Sequence, residues 1–372
     1  MKKVGYIFDE HLLLTCNRLP VIRERASVVQ DLIDSYELLF CENITAYSSV
    51  KATEEELKEF HSSAYIEFLK NSNDKEDLEL LEEEAGEFGL TYDCHLLEKN
   101  YEFVQVIAGG SLTAANLLIK ECCDIAINWF GGWHHSQRDA AEGFCYVNDV
   151  VLAIQRLYKK YNRILYIDLD VHHGNGVQNA FEFSKKILTL SFHKWAPGFY
   201  PGSGNVEDSG SGRGKYYSVN VPICEGTNDV TYYRLFNEIF PRILQRFQPL
   251  AVVVQCGADV INGDPIGQCN LTPKGMERCI KDVLKCDLPT LFLGGGGYNF
   301  ENTARYWCYL TSVIVNVPLE NDIPSVSEYF TNYGPSYEID ISPGNRKDHN
   351  TEEHINNVLS IILENINAID IE

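Results

Sequence analysis

Short runs of β-branched and aromatic residues recur at 4–8, 125–129, 164–169, 187–192, 216–221, 251–255 and 290–293, most of them separated by helix-length stretches. This alternation constrains the fold more than any other feature. Two parallel strands need a long crossover between them, and a helix is the usual one. Helical patterns fit residues 101–121, 229–247, 273–285 and 351–366. Another starts at Asn148-Asp149, with Val151, Ile154, Leu157 and Tyr158 on one face, and Thr53-Glu54-Glu55-Glu56 has the spacing of a capping box. The pattern predicts an α/β fold with a mostly parallel central β-sheet flanked by helices on both faces. No repeat and no Pro/Gly/Ser-rich linker divides the 372 residues, so residues 1–372 are expected to form a single domain.

Composition narrows function by exclusion. The 31 Lys+Arg against 53 Asp+Glu leave a net charge of −22, which repels nucleic acid phosphates and attracts basic partners. No direct nucleic acid binding is expected, and no membrane association, since no stretch approaches the roughly 18 apolar residues of a spanning helix. Twelve cysteines are scattered without a CxxC pair, the pattern of reduced thiols in the nucleus and/or cytoplasm. The acidic run over residues 74–87 reads as a solvated face, or as a rim that attracts a basic polypeptide; composition does not separate the two.

Parallel α/β sheets bind ligands just past the carboxyl ends of their strands, and four such ends here carry reactive side chains. Ala126-Ile127-Asn128-Trp129 leads to Gly131-Gly132-Trp133-His134-His135, and Ile164-Leu165-Tyr166-Ile167 leads to Asp168-Leu169-Asp170-Val171-His172. Val252-Val253-Val254-Gln255 leads to Cys256-Gly257-Ala258-Asp259, and Leu291-Phe292-Leu293 to Gly294-Gly295-Gly296-Gly297-Tyr298. Asp168, Asp170 and His172 alternate at period two, which points them to one side if the strand continues. Asp170 and His172 can then meet Asp259 as three ligands that suit Zn²⁺ and, almost equally, Fe²⁺. For the Asp pair alone a buried hydrogen-bond network reads equally well; the third donor favours a metal. His134 and His135 supply a general base and acid near neutral pH. Tyr298, behind four glycines, can donate to an oxyanion opposite the metal. The constellation reads as metal-assisted amide hydrolysis.

The segments NWFGGWHHSQRDAAEGFCYVNDV, ILYIDLDVHHGNGV, SFHKWAPGFYPGSG, VVVQCGAD and LGGGGYN, in this order, resemble the zinc-dependent histone deacetylases of class I, most closely their type-eight branch. The resemblance runs from Val4 to about residue 366. It implies an arginase/deacetylase-like fold, with zinc (or Fe²⁺) on Asp170, His172 and Asp259. His135 would be the general base and acid, oriented by the residue at Asn175, and His134 its electrostatic partner, oriented by Asp168. Tyr298 would polarise the acetyl carbonyl. Gly143, Phe144, Tyr200, Ile266 and Gly296 would line an acetyl-lysine channel, Asp93 would sit at its rim, and Arg25 and Trp133 would line an internal cavity. Two K⁺ or Na⁺ sites are implied, one at Asp168, Asp170, His172, Ser191 and Phe192, the other at Phe181, Ser184, Ile187 and Tyr217. The implied partners are acetylated basic tails of histone and non-histone proteins, with hydroxamate-type inhibitors binding the metal.

Three positions depart from the class I pattern. Asn175 stands where Asp is usual; an amide stabilises an imidazolium less than a carboxylate does, so a lower pKa for His135 and slower proton transfer are expected. Tyr200 replaces a phenylalanine, and Ile266 replaces Leu or Met, so selectivity rather than reaction type should differ. Other functions make different demands. Hydrolysis of acetylated small amines calls for a narrowed mouth and an acidic gatekeeper. A dinuclear manganese ureohydrolase needs further carboxylates where this chain has Gly174 and Val260-Ile261. A catalytically dead acyl-lysine reader would lack a ligand or the phenol, and all of these are present.

Overall fold

The computed structural model describes residues 1–73 and 81–370. Among the described residues the strands are β1 (Val4–Ile7), β2 (Ile44–Tyr47), β3 (Ile125–Asn128), β4 (Ile164–Asp168), β5 (Ile187–Lys194), β6 (Ser218–Ile223), β7 (Ala251–Gln255) and β8 (Thr290–Leu293). They form one sheet in the order β2-β1-β3-β8-β7-β4-β5-β6. Every neighbouring pair is parallel, so the mostly parallel sheet read from the sequence is parallel throughout.

Strand residues alternate between two apolar cores, which is why the central strands are apolar on both faces. In β4, Leu165 and Ile167 join one core, and Ile164 and Tyr166 the other; in β7 the split is Val252 and Val254 against Ala251 and Val253. The first core is covered by helices Arg25–Ser35, Asp229–Phe247, Pro273–Lys285, Phe300–Val315 and Glu352–Asn367, the second by Ser63–Ser72, Asn100–Ile119 and Asp149–Tyr158. The box at Thr53 is formed: its hydroxyl accepts from Glu56 N, and Glu56 Oε2 accepts from Thr53 N. It caps the single turn Glu54–Leu57.

The structure corrects three expectations. Strand β2 was not anticipated, because as an edge strand it leaves Thr45 and Ala46 exposed and shows no apolar alternation. Strand β4 ends at Asp168; beyond it Leu169 N still donates to Gln255 O and Val171 O accepts from Lys194 N, while the amides of Asp170 and His172 turn to side chains. Among the described residues one helix, Asn100–Ile119, is long and apolar enough to cross a membrane, contrary to the sequence expectation. It is a core helix by its packing, with 67% of that apolar window buried. Of the acidic run, residues 74–80 lie outside the described residues, and Glu83, Glu84 and Glu87 in the following helix are exposed.

The topology explains where the site forms. After β4 the chain moves outward through β5 and β6, then returns to lay β7 and β8 between β4 and β3. The four strands whose ends carry reactive groups thus become neighbours, β3-β8-β7-β4.

Candidate active site

Past the end of β4, side chains accept from every second backbone amide. Asp170 N donates to Asp168 Oδ1 at 3.2 Å, and His172 N donates to Asp170 Oδ1 at 3.0 Å. These bonds keep Asp170 and His172 turned toward β7. There Nδ1 of His172 lies 3.2 Å from Asp170 Oδ1 and 3.0 Å from Asp259 Oδ2. All three residues are buried, and their donor atoms lie within 4.8 Å of one another, an arrangement that could hold a metal ion.

The donor set fits such an ion. Bonds of about 2.0–2.2 Å to a tetrahedral metal place donors about 3.3–3.6 Å apart, a few tenths of an ångström beyond the 3.2 and 3.0 Å seen here. Each carboxylate is also held from behind. Asp170 Oδ2 accepts from Gln255 Nε2 and Gly296 N, both at 2.8 Å, and Asp259 Oδ1 accepts from Val171 N at 2.9 Å. The backbone leaves room for these groups by omitting side chains. A Cβ on Gly257 would sit 2.2 Å from Asp170 Oδ2, and one on Gly296 would sit 2.1 Å from Asp259 Oδ2. Burial alone would lower the His172 pKa, but Asp170 and Asp259 outweigh it and lift it to about 10.

The paired histidines are set from the other side. Asp149, buried at the start of its helix, accepts from Gly132 N at 3.0 Å and Trp133 N at 2.8 Å. Asn148 Nδ2 donates to Ser136 O at 2.9 Å. In the segment between, His134 Nδ1 meets Asp168 Oδ2 at 2.8 Å, His135 Nδ1 meets Asn175 Oδ1 at 2.8 Å, and the two Nε2 atoms are 3.0 Å apart. His134 is lifted to about 9, because Asp168 and Asp170 outweigh the opposing effect of burial. His135 is held well below the usual imidazole range by burial first, then by the charges of His134 and His172. The Asn175 hydrogen bond works against this depression and pushes the value up.

A channel of about 290 Å³ leads to this floor, lined by Asp93, His135, Gly143, Phe144, His172, Phe199, Tyr200, Ile266 and Tyr298. Gly143 and Phe144 both have positive φ, 57° and 64°, in a tight turn closed by Glu142 and Cys145. Gly143 N donates to Asp93 Oδ2 at 3.1 Å, which anchors the rim. A second space of about 20 Å³, enough for about one water, is bounded by Arg25, Trp133, Gly296 and Tyr298 together with His134, His135, Asp170 and His172. Arg25 Nη1 donates to the carbonyls of Gly295 and Gly297, both at 3.0 Å. Tyr298 is in both spaces; burial, then the charges of Asp259 and Asp170, raise its phenol pKa, so it stays a donor.

The residues suggested for monovalent cations are only partly gathered at the centre. Asp168 faces Ser191 across the β4–β5 register, with Phe192 next in β5. Phe181 ends the helix Asn175–Phe181, Ser184 sits on the turn that follows and Ile187 opens β5; Phe181 O accepts from Ser184 N, and Tyr217 O accepts from Thr189 N. Sequence reasoning missed Phe199, whose ring stacks on His172 at 5.2 Å and 1°. It also missed Gln255, and Asp264, which accepts from Tyr298 N at 2.7 Å. Gln255 had a visible signal, its place at the end of β7; Phe199 and Asp264 sit in loops with none.

Fold and site together define a hydrolase with a place for a metal. The family model of the histone deacetylase domain matches residues 19–314. The chain is 42% identical over 368 residues to histone deacetylase 8 of Danio rerio, covering 99% of this chain and 96% of that relative. It is 44% identical over 353 residues to histone deacetylase 8 of Xenopus tropicalis, covering 95% and 94%. To histone deacetylase 1 of Homo sapiens it is 39% identical over 350 residues, covering 94% and 72%. The chain belongs to the histone deacetylase family, whose members are hydrolases that remove acetyl groups from lysine.

Proposed function

We propose that this chain is a zinc-dependent protein lysine deacetylase that converts N6-acetyl-lysine in histone or non-histone proteins to lysine and acetate. The observation that carries the reading is the meeting of Asp170, His172 and Asp259 with His135 and Tyr298 at the floor of an aromatic-walled channel. When bound, zinc supplies Lewis-acid polarisation of the amide carbonyl and acidifies a water. The Tyr298 hydroxyl donates to the carbonyl oxygen as charge builds on it. His135 Nε2 takes the proton of the attacking water, and a C–O bond forms. The C–N bond then breaks as His135 returns that proton to the lysine Nζ, and acetate leaves. Phe144 and Tyr200 hold the neutral acyl-lysine arm, Asp93 accepts from the substrate backbone at the rim, and Arg25 and Trp133 face the second space.

The same reading assigns residues 1–372 to one catalytic domain, supported by a single sheet drawing strands from Val4 to Leu293. It adds K⁺ or Na⁺ at the two groups around β5, hydroxamate-type inhibitors on the metal, and acetylated basic tails as partners of a chain with net charge −22. A nuclear or cytoplasmic setting fits twelve free cysteines. The test is hydrolysis of a fluorogenic acetyl-lysine peptide by metal-stripped protein given one equivalent of Zn²⁺, with Tyr298→Phe alongside. Turnover that needs zinc and collapses in the variant supports the reading; zinc binding without turnover overturns it.

A further inference from the structure

Asn175 has a second neighbour besides His135. Its Nδ2 donates to Glu142 Oε1 at 2.6 Å, and the Tyr200 hydroxyl donates to the same oxygen at 3.1 Å. Gln137 Nε2 donates to Glu142 Oε2 at 2.9 Å, while Gln137 Oε1 accepts from Asn179. Glu142 itself is pinned by two backbone bonds to Cys145, across the Gly143-Phe144 turn.

An asparagine amide has a donor end and an acceptor end, and a carboxylate only accepts. Because the Glu142 carboxylate, already met by Tyr200 and Gln137, only accepts, the NH₂ end of Asn175 must face it, and the carbonyl end must face His135. A carbonyl opposite Nδ1 requires a hydrogen on Nδ1, which leaves the lone pair of His135 on Nε2, the nitrogen 3.0 Å from His134 Nε2. Were the amide reversed, Nδ1 would hold the lone pair and Nε2 the hydrogen, and the base would be blocked.

We infer that Glu142 is the positioning residue of His135: through Asn175 it fixes the tautomer of the base, and through Tyr200 it ties that setting to the channel wall. This rests on the assignment of His135 as the proton acceptor in the deacetylase reading. It also reassigns Asn175 from a weakened copy of an aspartate to the middle of a relay whose carboxylate lies one residue further back.

The test compares wild type, Glu142→Ala, Glu142→Gln, Asn175→Asp and the Asn175→Asp/Glu142→Ala double variant. The readouts are turnover and the ¹⁵N resonances of His135, which separate protonated from bare ring nitrogens without any turnover. Glu142→Ala is expected to lower kcat on the order of tenfold or more, with KM moved less, and to mix the His135 tautomers. Glu142→Gln, of nearly equal volume, should fall between and guards against loss by misfolding. Asn175→Asp should also lose activity, because it sets two carboxylates at hydrogen-bond distance; removing Glu142 in the double variant should restore at least part of it. Unchanged kcat and tautomer in folded Glu142→Ala overturn the inference. So does full activity of Asn175→Asp with Glu142 in place. If wild type binds zinc yet never turns over acetyl-lysine, the deacetylase reading fails, and the ¹⁵N comparison still decides the role of Glu142.

Discussion

His134 Nδ1 lies 2.8 Å from Asp168 Oδ2, an oxygen that also accepts the Tyr166 hydroxyl at 2.7 Å. The carboxylate lifts His134 to about 9, while His135, 3.0 Å from it, is driven the other way. Two adjacent imidazoles thus divide the work, one carrying charge and one keeping a lone pair, the pattern expected where acid and base must coexist. Asp168→Asn removes the charge and turns an NH₂ toward a donor. In the metal-free chain the His134 titration should fall from about 9 toward the usual imidazole value, and kcat should fall about 10–100-fold. An NMR titration in which His134 stays near its wild-type value would contradict this account.

The split makes the two histidines unequal. His135→Ala should cost about 10²–10⁴ in kcat/KM, the usual worth of a positioned general base. His134→Ala should cost less, since it removes only a charged neighbour. Zinc stoichiometry, measured beside the rates, should stay the same in both. A His135→Ala chain within tenfold of wild type would remove this residue from the chemistry.

Metal uptake should be linked to protons. His172 sits at about 10 in the metal-free group, so at neutral pH it is protonated and must lose a proton to become a ligand. Burial and the neighbouring Asp170 also raise the Asp259 carboxyl, to about 8, so affinity should weaken as pH falls, and binding at pH 7 should release between one and two protons per ion. Calorimetry in two buffers of different ionisation enthalpy measures that number directly. Zero release would mean that His172 is neutral beforehand.

A good part of the fold was legible in the sequence because each central strand is an apolar run followed at once by a polar cluster. Asp259 and His172 could be paired on that ground alone, and the structure brings them to 3.0 Å. What escaped notice depends on long-range return of the chain. Asn175 looked deficient because its own position shows only the amide; the carboxylate behind it is 33 residues away and arrives by way of the Gly143-Phe144 turn. The early end of β4 escaped too, since Leu169 and Val171 keep backbone partners in β7 and β5 while side-chain acceptors on Asp168 and Asp170 serve the amides between.

Stability should carry an acid limb set by buried histidines. His61 is held at about 4 by burial; it accepts from Asn148 N at Nε2 and donates from Nδ1 to Arg138 O. Protonating Nε2 would set one N–H against another. The folded value lies below the unfolded 6.5, so the unfolded chain binds more protons between the two. The contribution is full above about 6.5 and is lost as pH falls toward 4, up to about 3 kcal/mol. His173, also held at about 4 by burial, adds to the same limb. His61→Gln should flatten the fall in urea midpoint between pH 7 and 4.5; an unaltered slope would assign the limb to other groups.

The spaces above Gly257 and Gly296 have a further consequence. Added methyl groups would stand 2.2 Å from Asp170 Oδ2 and 2.1 Å from Asp259 Oδ2. The pocket is therefore specified as much by atoms left out as by those supplied. Grafting the two aspartates and His172 onto another parallel sheet would transfer the chemistry but leave it no room. Drift at these glycines would close the site while every reactive side chain was still spelled correctly.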